Sequence, residues 1–327
     1  PVRMKSSPAA VMPDTSPLVI PEDAIEVLSR DFEATPESRL LVNVPRANVT
    51  LQPGASNRIE IRVYMAGCDK DAAYAYLDDL GLRTRHAEDV VRVKPDLTPQ
   101  HDTDWWRRQR ERVGTMYVDL RLPRTCNADI QAAAGAIEAA DLGGKLALEI
   151  NAGRLVATNL HGQLEVFARS SEVDLRNFKG KSAALNIYTS TLHLDGAKAD
   201  RLDIEAAASP LRLRNLAGTA RITSHGGSAE VRTIRGSLRA SVFGGRLDVA
   251  DLDEAETELT ASGGDIFIGL SSSAGADISL RADQIALDAA LDFEGDREPE
   301  YVDGRLNGGG SSLRARAHRG TIHCERA

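Results

Sequence analysis

The sequence predicts an all-β fold: a right-handed, single-chain parallel β-solenoid of about 18 residues per coil, with an N-terminal irregular β cap containing one short helix. Three observations favour this class. Glycines recur at a fixed spacing through the second half of the chain, apolar and polar residues alternate within each repeat, and aromatic residues make up only 4% of the composition. Such a composition suits a narrow core of Leu, Ile, Val and Ala.

The overall composition is that of a folded protein without an excess of basic residues. Of 327 residues, 42% are hydrophobic and 27% are charged, and the formal net charge is −8. We therefore expect no nucleic-acid partner, because nucleic-acid-binding domains usually carry a basic patch or balance. No apolar run approaches the roughly 20 residues that a membrane-spanning helix needs, so we expect no transmembrane segment.

Residues 1–29 are predicted to form a flexible leader. They carry five prolines and little periodicity, which is typical of a terminus that has no packed core. The chain begins at Pro1 rather than at a methionine, so we expect its native start to have been removed.

Residues 30–125 are predicted to form the N-terminal β cap and the first strands. The predicted elements are strands at Arg39–Val44, Ala47–Leu51 and Arg58–Met65, a short helix from Asp69 to Leu80, a strand pair at Arg83–His86 and Val90–Val93, and a strand at Met116–Leu122. Asp69 is a typical helix N-cap. A cap is expected because an open solenoid end exposes unpaired strand edges.

Residues 126–327 are predicted to form the β-solenoid, with a long loop at 292–310 before the last coil. The repeat is marked by Gly144, Gly162, Gly180, Asp200, Gly218 and Gly236, which recur at a constant interval except for one longer gap before Asp200. Six positions after each marker are aliphatic or small, and in the first unit they are Leu146, Leu148, Ile150, Leu155, Ala157 and Leu160. Their period of two indicates strands with one buried face, so Leu213 and Val231 should point inward in neighbouring coils.

Charged residues recur at two outward positions of the repeat. One position carries Glu138, Asp174, Arg212, Glu230 and Asp248, and another carries Arg176, Arg214 and Arg232. Some β-solenoid enzymes that cleave acidic polysaccharides place acids and bases on one outer face. Mixed signs are more simply explained by an ion-paired solvent face, which is our interpretation.

Four segments carry a resemblance to a known family: RLLVNVPRANVTLQPG, GSLRASVFGG, GGDIFIGL and the closing LNGGGSSLRARAHRGTIHCER. Over roughly residues 32–327 the chain resembles the bacterial "putative adhesin" family of uncharacterised β-solenoid domains. The resemblance implies the solenoid fold and a place in or near the bacterial envelope. The family has no catalytic motif to transfer to this chain, and the WWRRQRER loop and the DKDAAYAYLDD helix depart from its pattern.

No catalytic or metal-binding motif is present in the sequence. It contains no P-loop, HExxH or GxSxG, and Cys68, Cys126 and Cys324 lie far apart without CxxC spacing. We therefore expect no enzyme activity, no cofactor and no metal site. If the coils stack in sequence order, Cys126 and Cys324 are too far apart for a disulfide.

The candidate binding residues are Trp105, Trp106, Arg107 and Arg108, which combine stacking surfaces with positive charge. The alternative is that a tryptophan packs on the cap while the arginines pair with nearby acids. The candidate partners are a glycan or an envelope protein, and the sequence identifies neither.

These features favour a non-enzymatic binding, scaffold or adhesion module of the bacterial cell envelope, periplasmic or extracellular, with a cytoplasmic location as the alternative. Two other functions stay open: a polysaccharide-active β-solenoid enzyme and a self-assembling filament subunit.

Overall fold

The computed structural model describes residues 17–97, 104, 114–252, 255–270 and 275–326. Within these residues the chain forms 25 strands and one α-helix. In chain order they are β1 (Ile25–Glu33), β2 (Arg39–Pro45), β3 (Ala47–Pro53), β4 (Arg58–Ala66), α1 (Lys70–Leu80), β5 (Arg83–Ala87), β6 (Val90–Lys94), β7 (Thr115–Leu122), β8 (Asn127–Ala133), β9 (Ala136–Ala140), β10 (Gly143–Asn151), β11 (Arg154–Thr158), β12 (His161–Arg169), β13 (Glu172–Tyr188), β14 (Thr191–Ala207), β15 (Leu211–His225), β16 (Ala229–Phe243), β17 (Leu247–Leu252), β18 (Glu256–Ser262), β19 (Ile266–Leu270), β20 (Ala276–Arg281), β21 (Gln284–Leu287), β22 (Phe293–Arg297), β23 (Tyr301–Leu306), β24 (Ser311–His318) and β25 (Thr321–Arg326).

Most strands pair in parallel along two ladders. The first ladder runs β6–β2–β8–β10–β12–β13–β14–β15–β16–β18–β24–β20. The second runs β7–β3–β9–β11–β13–β14–β15–β16–β17–β19–β25–β21. Each of β13 to β16 belongs to both ladders, because its first half pairs in the second ladder and its second half in the first. We call one strand from each ladder, taken together, a two-strand unit.

The register between units confirms the repeat that the sequence predicts. Gly144 pairs with Gly162 and Leu213 with Val231, both at the interval of the sequence repeat, whereas the interval from Leu194 to its partner Leu213 is longer by a single residue. Leu213 and Val231 are fully buried, as the alternation predicts. The core is an aliphatic column in which inward Leu, Ile, Val and Ala side chains of successive units stack at the strand spacing of about 4.8 Å.

One repeat marker differs from its predicted position. Ala199, not Asp200, pairs with Gly180 on one side and Gly218 on the other. Lys181 and Asp200 are single extra residues at register shifts in their strands, so the length predicted as one long gap before Asp200 is divided equally between two successive intervals. The sequence shows only the total length of such insertions and not where each one falls.

A left-handed backbone corner follows the second ladder in successive units. Positive φ angles recur at Asp141, Asn159, Asn177, Gly196, Asn215, Thr233 and Asp251. Asn and Asp tolerate this conformation better than most residues. Their side chains also bond from unit to unit: the Asn159 amide donates to Asp141 at 3.0 Å and the Asn177 amide donates to Asn159 at 3.1 Å.

The spatial order of the units is not the chain order. The last unit, β24 with β25, lies between β18 with β19 and β20 with β21. At the other end, β6 with β7 lies outside β2 with β3, although it comes later in the chain. The ladders therefore extend into the region predicted as a cap.

Antiparallel strands extend the first ladder at both ends and the second ladder at one end. At one end β5 pairs with β6, and β4 pairs with both β7 and β1. At the other, β23 pairs with β20 and with β22. The long loop predicted at 292–310 is therefore wrong, because β22 and β23 form a hairpin there. β1 also begins at Ile25, inside the segment predicted as a leader.

The helix is confirmed at its predicted position. Asp69 is its N-cap and accepts a hydrogen bond of 2.8 Å from the Ala72 amide, and Gly81 ends the helix with φ at 62°. Nowhere in the described ranges does a helix combine the length and apolarity needed to cross a membrane.

We expect Leu213→Asp to lower the free energy of unfolding by about 4 kcal/mol or more, because an unpaired carboxylate would enter the aliphatic column. Thr219→Asp, at an exposed position of the same strand, is the matched control and should change it by less than about 0.5 kcal/mol. Urea denaturation measures both values. Equal stabilities of the two variants would contradict the assigned register.

The thiols should react in the order of their burial. Cys126 and Cys324 are buried and unbridged, and they lie eight units apart in the ladder order. Burial raises the pKa of Cys126 to about 11 and that of Cys324 to about 12, so neither holds much thiolate at pH 8. Titration of the native protein with a chromogenic disulfide should label half-buried Cys68 first and the other two only in denaturant. Early labelling of Cys324 would show that the last unit is open.

Candidate functional site

The binding residues predicted from the sequence, Trp105, Trp106, Arg107 and Arg108, lie outside the described residues. Among the described residues, the surfaces that could bind a ligand lie on the ladders, where outward side chains of successive units form columns. Two of these surfaces carry clusters of charged side chains: the outer face of the second ladder, and a groove along the corner at which the first ladder begins.

The outer face of the second ladder is ion-paired, as the mixed charges predict. Glu230 lies 3.2 Å from Arg232 and 4.0 Å from both Arg212 and Arg214, and Arg232 also reaches Asp248 at 3.2 Å. These contacts join neighbouring units. Positive and negative side chains thus neutralise one another along this face, which leaves little free charge for a ligand.

A half-buried cluster at one position of that face is the closest approach to an acid–base site. The Arg176 guanidinium donates two hydrogen bonds, of 3.0 and 2.7 Å, to the carboxylate of buried Asp174. His193 is the register partner of Asp174, and its pKa is lowered by burial and by the charge of Arg212. Asp174 and Arg176 are thus joined by a bidentate ion pair, which gives this cluster a structural role.

A groove of about 440 Å³ runs along the corner at which the first ladder begins, and we call it the lysine groove. Its lining is His161, Gly162, Lys179, Gly180, Lys181, Lys198, Ala199, Asp200, Ala217 and Gly218. His161 pairs with Lys179, and Lys179 pairs with Lys198, on three neighbouring strands. Three of the seven lysines of the chain therefore lie in one groove.

The floor of the lysine groove is main chain, because the packing excludes most side chains there. A Cβ atom at Gly180 would lie 2.1 Å from the Gly162 carbonyl oxygen, and one at Gly218 would lie 1.8 Å from that of Ala199. Gly218 also has a φ of 108°, which L-residues rarely adopt. The glycines thus leave a channel without side chains beside Lys179 and Lys198.

The two register shifts shape the same groove. Lys181 and Asp200 are the extra residues at these shifts, and both line the groove. A bulge turns a side chain away from the regular alternation of a strand, and bulges are common beside binding sites. Here the bulges add the cation of Lys181 and the anion of Asp200 to the lining of the lysine groove.

The lysines of the groove lack ion-pair partners in the described part of the chain. No carboxylate lies within 4 Å of the ammonium groups of Lys179, Lys181 or Lys198, and all three residues are exposed. With Asp200 the lining carries two net positive charges, on a protein whose net charge is −8. The charge of this groove is thus opposite to that of the chain as a whole.

A sequence signal for the lysine groove exists at a position that the outward-charge pattern did not include. The residue before the marker is basic in four units, at His161, Lys179, Lys198 and Arg235. When the repeats are aligned with Asp200 as the marker, this pattern is lost in that unit, because the residue before Asp200 is Ala199. With Ala199 as the marker, the preceding residue is Lys198.

Two open cavities, of about 670 and 400 Å³, follow the lysine groove on the outer face of the first ladder. They share Arg201, Asp203, Arg221 and Arg239. Arg201 pairs with Asp203, and Arg239 pairs with Glu258. Arg221 has no ion pair with any described residue. Across the described ranges, no group of three or more His, Cys, Asp or Glu side chains is placed to hold a metal ion.

Comparison with known proteins gives matches only among solved structures. No protein-family model and no curated protein matches the chain. A "putative cell adhesion protein" from Clostridium sporogenes is 8% identical, with a TM-score of 0.24, and the match covers 92% of this chain and 99% of that one. A "putative adhesin" from Bacteroides fragilis is 10% identical, with a TM-score of 0.38 and coverage of 91% and 96%. A "putative lipid binding protein" from Parabacteroides distasonis is 9% identical, with a TM-score of 0.41 and coverage of 91% and 96%.

We expect Gly218→Ala to destabilise the protein by at least about 2 kcal/mol more than Gly226→Ala does. Both glycines have positive φ, so both variants carry backbone strain, but only a Cβ at Gly218 meets main chain, whereas nothing lies within 4 Å of one at Gly226. Thermal and urea unfolding of the two variants give the comparison. A Gly218→Ala variant as stable as Gly226→Ala would show that the groove floor is not packed in this way.

Proposed function

We propose that this protein is a non-enzymatic binding or adhesion module that holds an elongated acidic polymer, with an acidic polysaccharide as the ligand class. The proposal rests on one observation: cations without ion-pair partners stand on successive strands of the lysine groove. We further propose a place in the bacterial cell envelope, which the sequence resemblance implies and where acidic polymers are available.

We infer that the two-strand units are coils of a right-handed β-solenoid of about 18 residues per coil, because crossover connections between parallel strands are overwhelmingly right-handed. From β8 to β19 the register intervals support this coil length, since each equals the sequence repeat or exceeds it by a single residue.

The spacing of the cations favours a polymer over a small anion. Neighbouring parallel strands lie about 4.8 Å apart, so Lys179 and Lys198 present their charges at that interval along the groove. A ligand with repeated carboxylates can contact several lysines at once. Each added contact is then intramolecular, which raises the overall affinity without any deep pocket.

Three carboxylates of the ladder faces are engaged in ion pairs with arginine, and their positions are accounted for without a catalytic role. Asp174, Asp203 and Glu258 are each held by an arginine. The filament alternative is less favoured, because antiparallel strands already pair with the terminal strands at three of the four ladder ends.

The test is the affinity for an octamer of galacturonic acid, measured by calorimetry at low salt, beside a neutral glucose octamer. Lys179→Gln with Lys198→Gln should weaken binding of the acidic octamer between about 5-fold and 30-fold, since two exposed ion pairs are lost. Lys70→Gln, on the exposed surface of α1, is the control and should bind as the parent does. Added salt should weaken the parent interaction.

Three results would contradict the proposal. Equal affinity for the neutral octamer would remove the electrostatic basis, and unchanged affinity in the double variant would remove the lysine groove as the site. Release of reducing ends from the acidic octamer would show turnover and favour the enzyme alternative.

A further inference from the structure

The hairpin of β5 and β6 carries a second basic surface, separate from the lysine groove. Its register places Arg83 opposite Lys94 and Arg85 opposite Arg92. All four residues are exposed, and Val91 and Val93, which alternate with two of them, are buried. The four cations therefore share one face of a two-stranded hairpin, which we call the basic hairpin face.

This arrangement is unfavourable unless an anion balances it. Side chains directly opposite in an antiparallel pair lie about 5 Å apart, and like charges there destabilise the pair. Asp96 lies 3.6 Å from Arg83. For Arg85, Arg92 and Lys94, no carboxylate of a described residue lies within 4 Å. Among the described residues, three positive charges remain in excess on this face.

The same residues enclose a small cavity. It has a volume of about 280 Å³ and is lined by Arg83, Arg85, Arg92, Lys94, Pro95 and Asp96. Pockets for drug-sized ligands begin at about 300 Å³, so this one suits a single small group. Among the lining residues that the structure describes, Asp96 is the single anionic side chain, and Arg83 pairs with it.

We propose that the basic hairpin face binds the phosphate monoester group of a ligand. Guanidinium groups present paired N–H donors in a fixed plane, which match the oxygens of a phosphate two at a time. Arg85 and Arg92, with Lys94 beside them, supply charge and donors for a dianion with three terminal oxygens. The proposal does not depend on the lysine groove, because the hairpin joins the first ladder at β2, at the end away from β24.

Either a soluble metabolite or a lipid can carry such a phosphate group, and two experimental arms separate these sources. The first arm titrates the full chain with glucose 6-phosphate, and with glucose 6-sulfate for comparison, by calorimetry at low salt. The second arm measures flotation with phosphatidylcholine vesicles that contain phosphatidic acid, beside vesicles without it.

The variant Arg85→Gln with Arg92→Gln should weaken binding at least tenfold in whichever arm the parent binds. Arg314→Gln with Arg316→Gln is the matched control, because both arginines are exposed, lie on the same face of β24 and have no ion pair to any described residue. It should bind as the parent does. Removal of opposed like charges should not lower the melting temperature of the hairpin variant, so lost binding will not reflect unfolding. The single variant Lys94→Gln is a second test of the same site and should also weaken binding.

The pH dependence identifies the anion. The second phosphate proton leaves near pH 6, so affinity for glucose 6-phosphate should rise from pH 5 to pH 7.5, while the sulfate ester, which stays a monoanion, should bind weakly at both values. Binding of glucose 6-phosphate supports a soluble ligand, and binding of phosphatidic acid vesicles alone supports a lipid. Absence of binding in both arms, equal loss in the control variant, or equal affinity for the sulfate would overturn the proposal.

Discussion

Parallel main-chain hydrogen bonding in constant register is the constraint on which the rest of this molecule depends. Because Leu213 pairs with Val231 and Gly218 with Gly236, each inward position must carry an apolar side chain that stacks on its neighbours, and the corner position must leave room for the preceding carbonyl oxygen. Aromatic rings are rare in this column but are accommodated there, since Phe178 is buried at an inward position of β13 opposite Ala197. The left-handed corner of Asn and Asp residues repeats because the register is constant.

The features that could be predicted from the sequence are those that one unit determines by itself. Inward Leu and Ile positions and the helix capped by Asp69 depend on local alternation and capping. The ion-paired outer face is different, because its contacts join neighbouring units and follow from the repeat itself. The order of the units could not be predicted, because β24 has the same pattern as its neighbours and nothing local says that it enters between β18 and β20. The hairpin of β22 and β23 could not be predicted either, because its Gly and charged residues lack an apolar period.

The same register accounts for both the inert and the candidate binding surfaces. Where opposite charges fall on neighbouring strands, as with Arg232 and Asp248, they neutralise each other across units. Where like charges do so, as with Lys179 and Lys198, repetition concentrates positive charge in a chain that is acidic overall. The lysine groove and the basic hairpin face are thus two outcomes of strand pairing that local composition does not reveal.

The insertion of the last unit is tested most directly by cysteine cross-linking in a chain that carries Cys68→Ser. Glu258→Cys with Arg314→Cys places two cysteines on register partners, within the roughly 7 Å that a disulfide requires. Glu258→Cys with Ser279→Cys places them on β18 and β20, with β24 between. After mild oxidation, mass spectrometry should find the first disulfide and not the second. The reverse result would mean that the units stack in chain order, and the register described for this end of the ladders would be wrong.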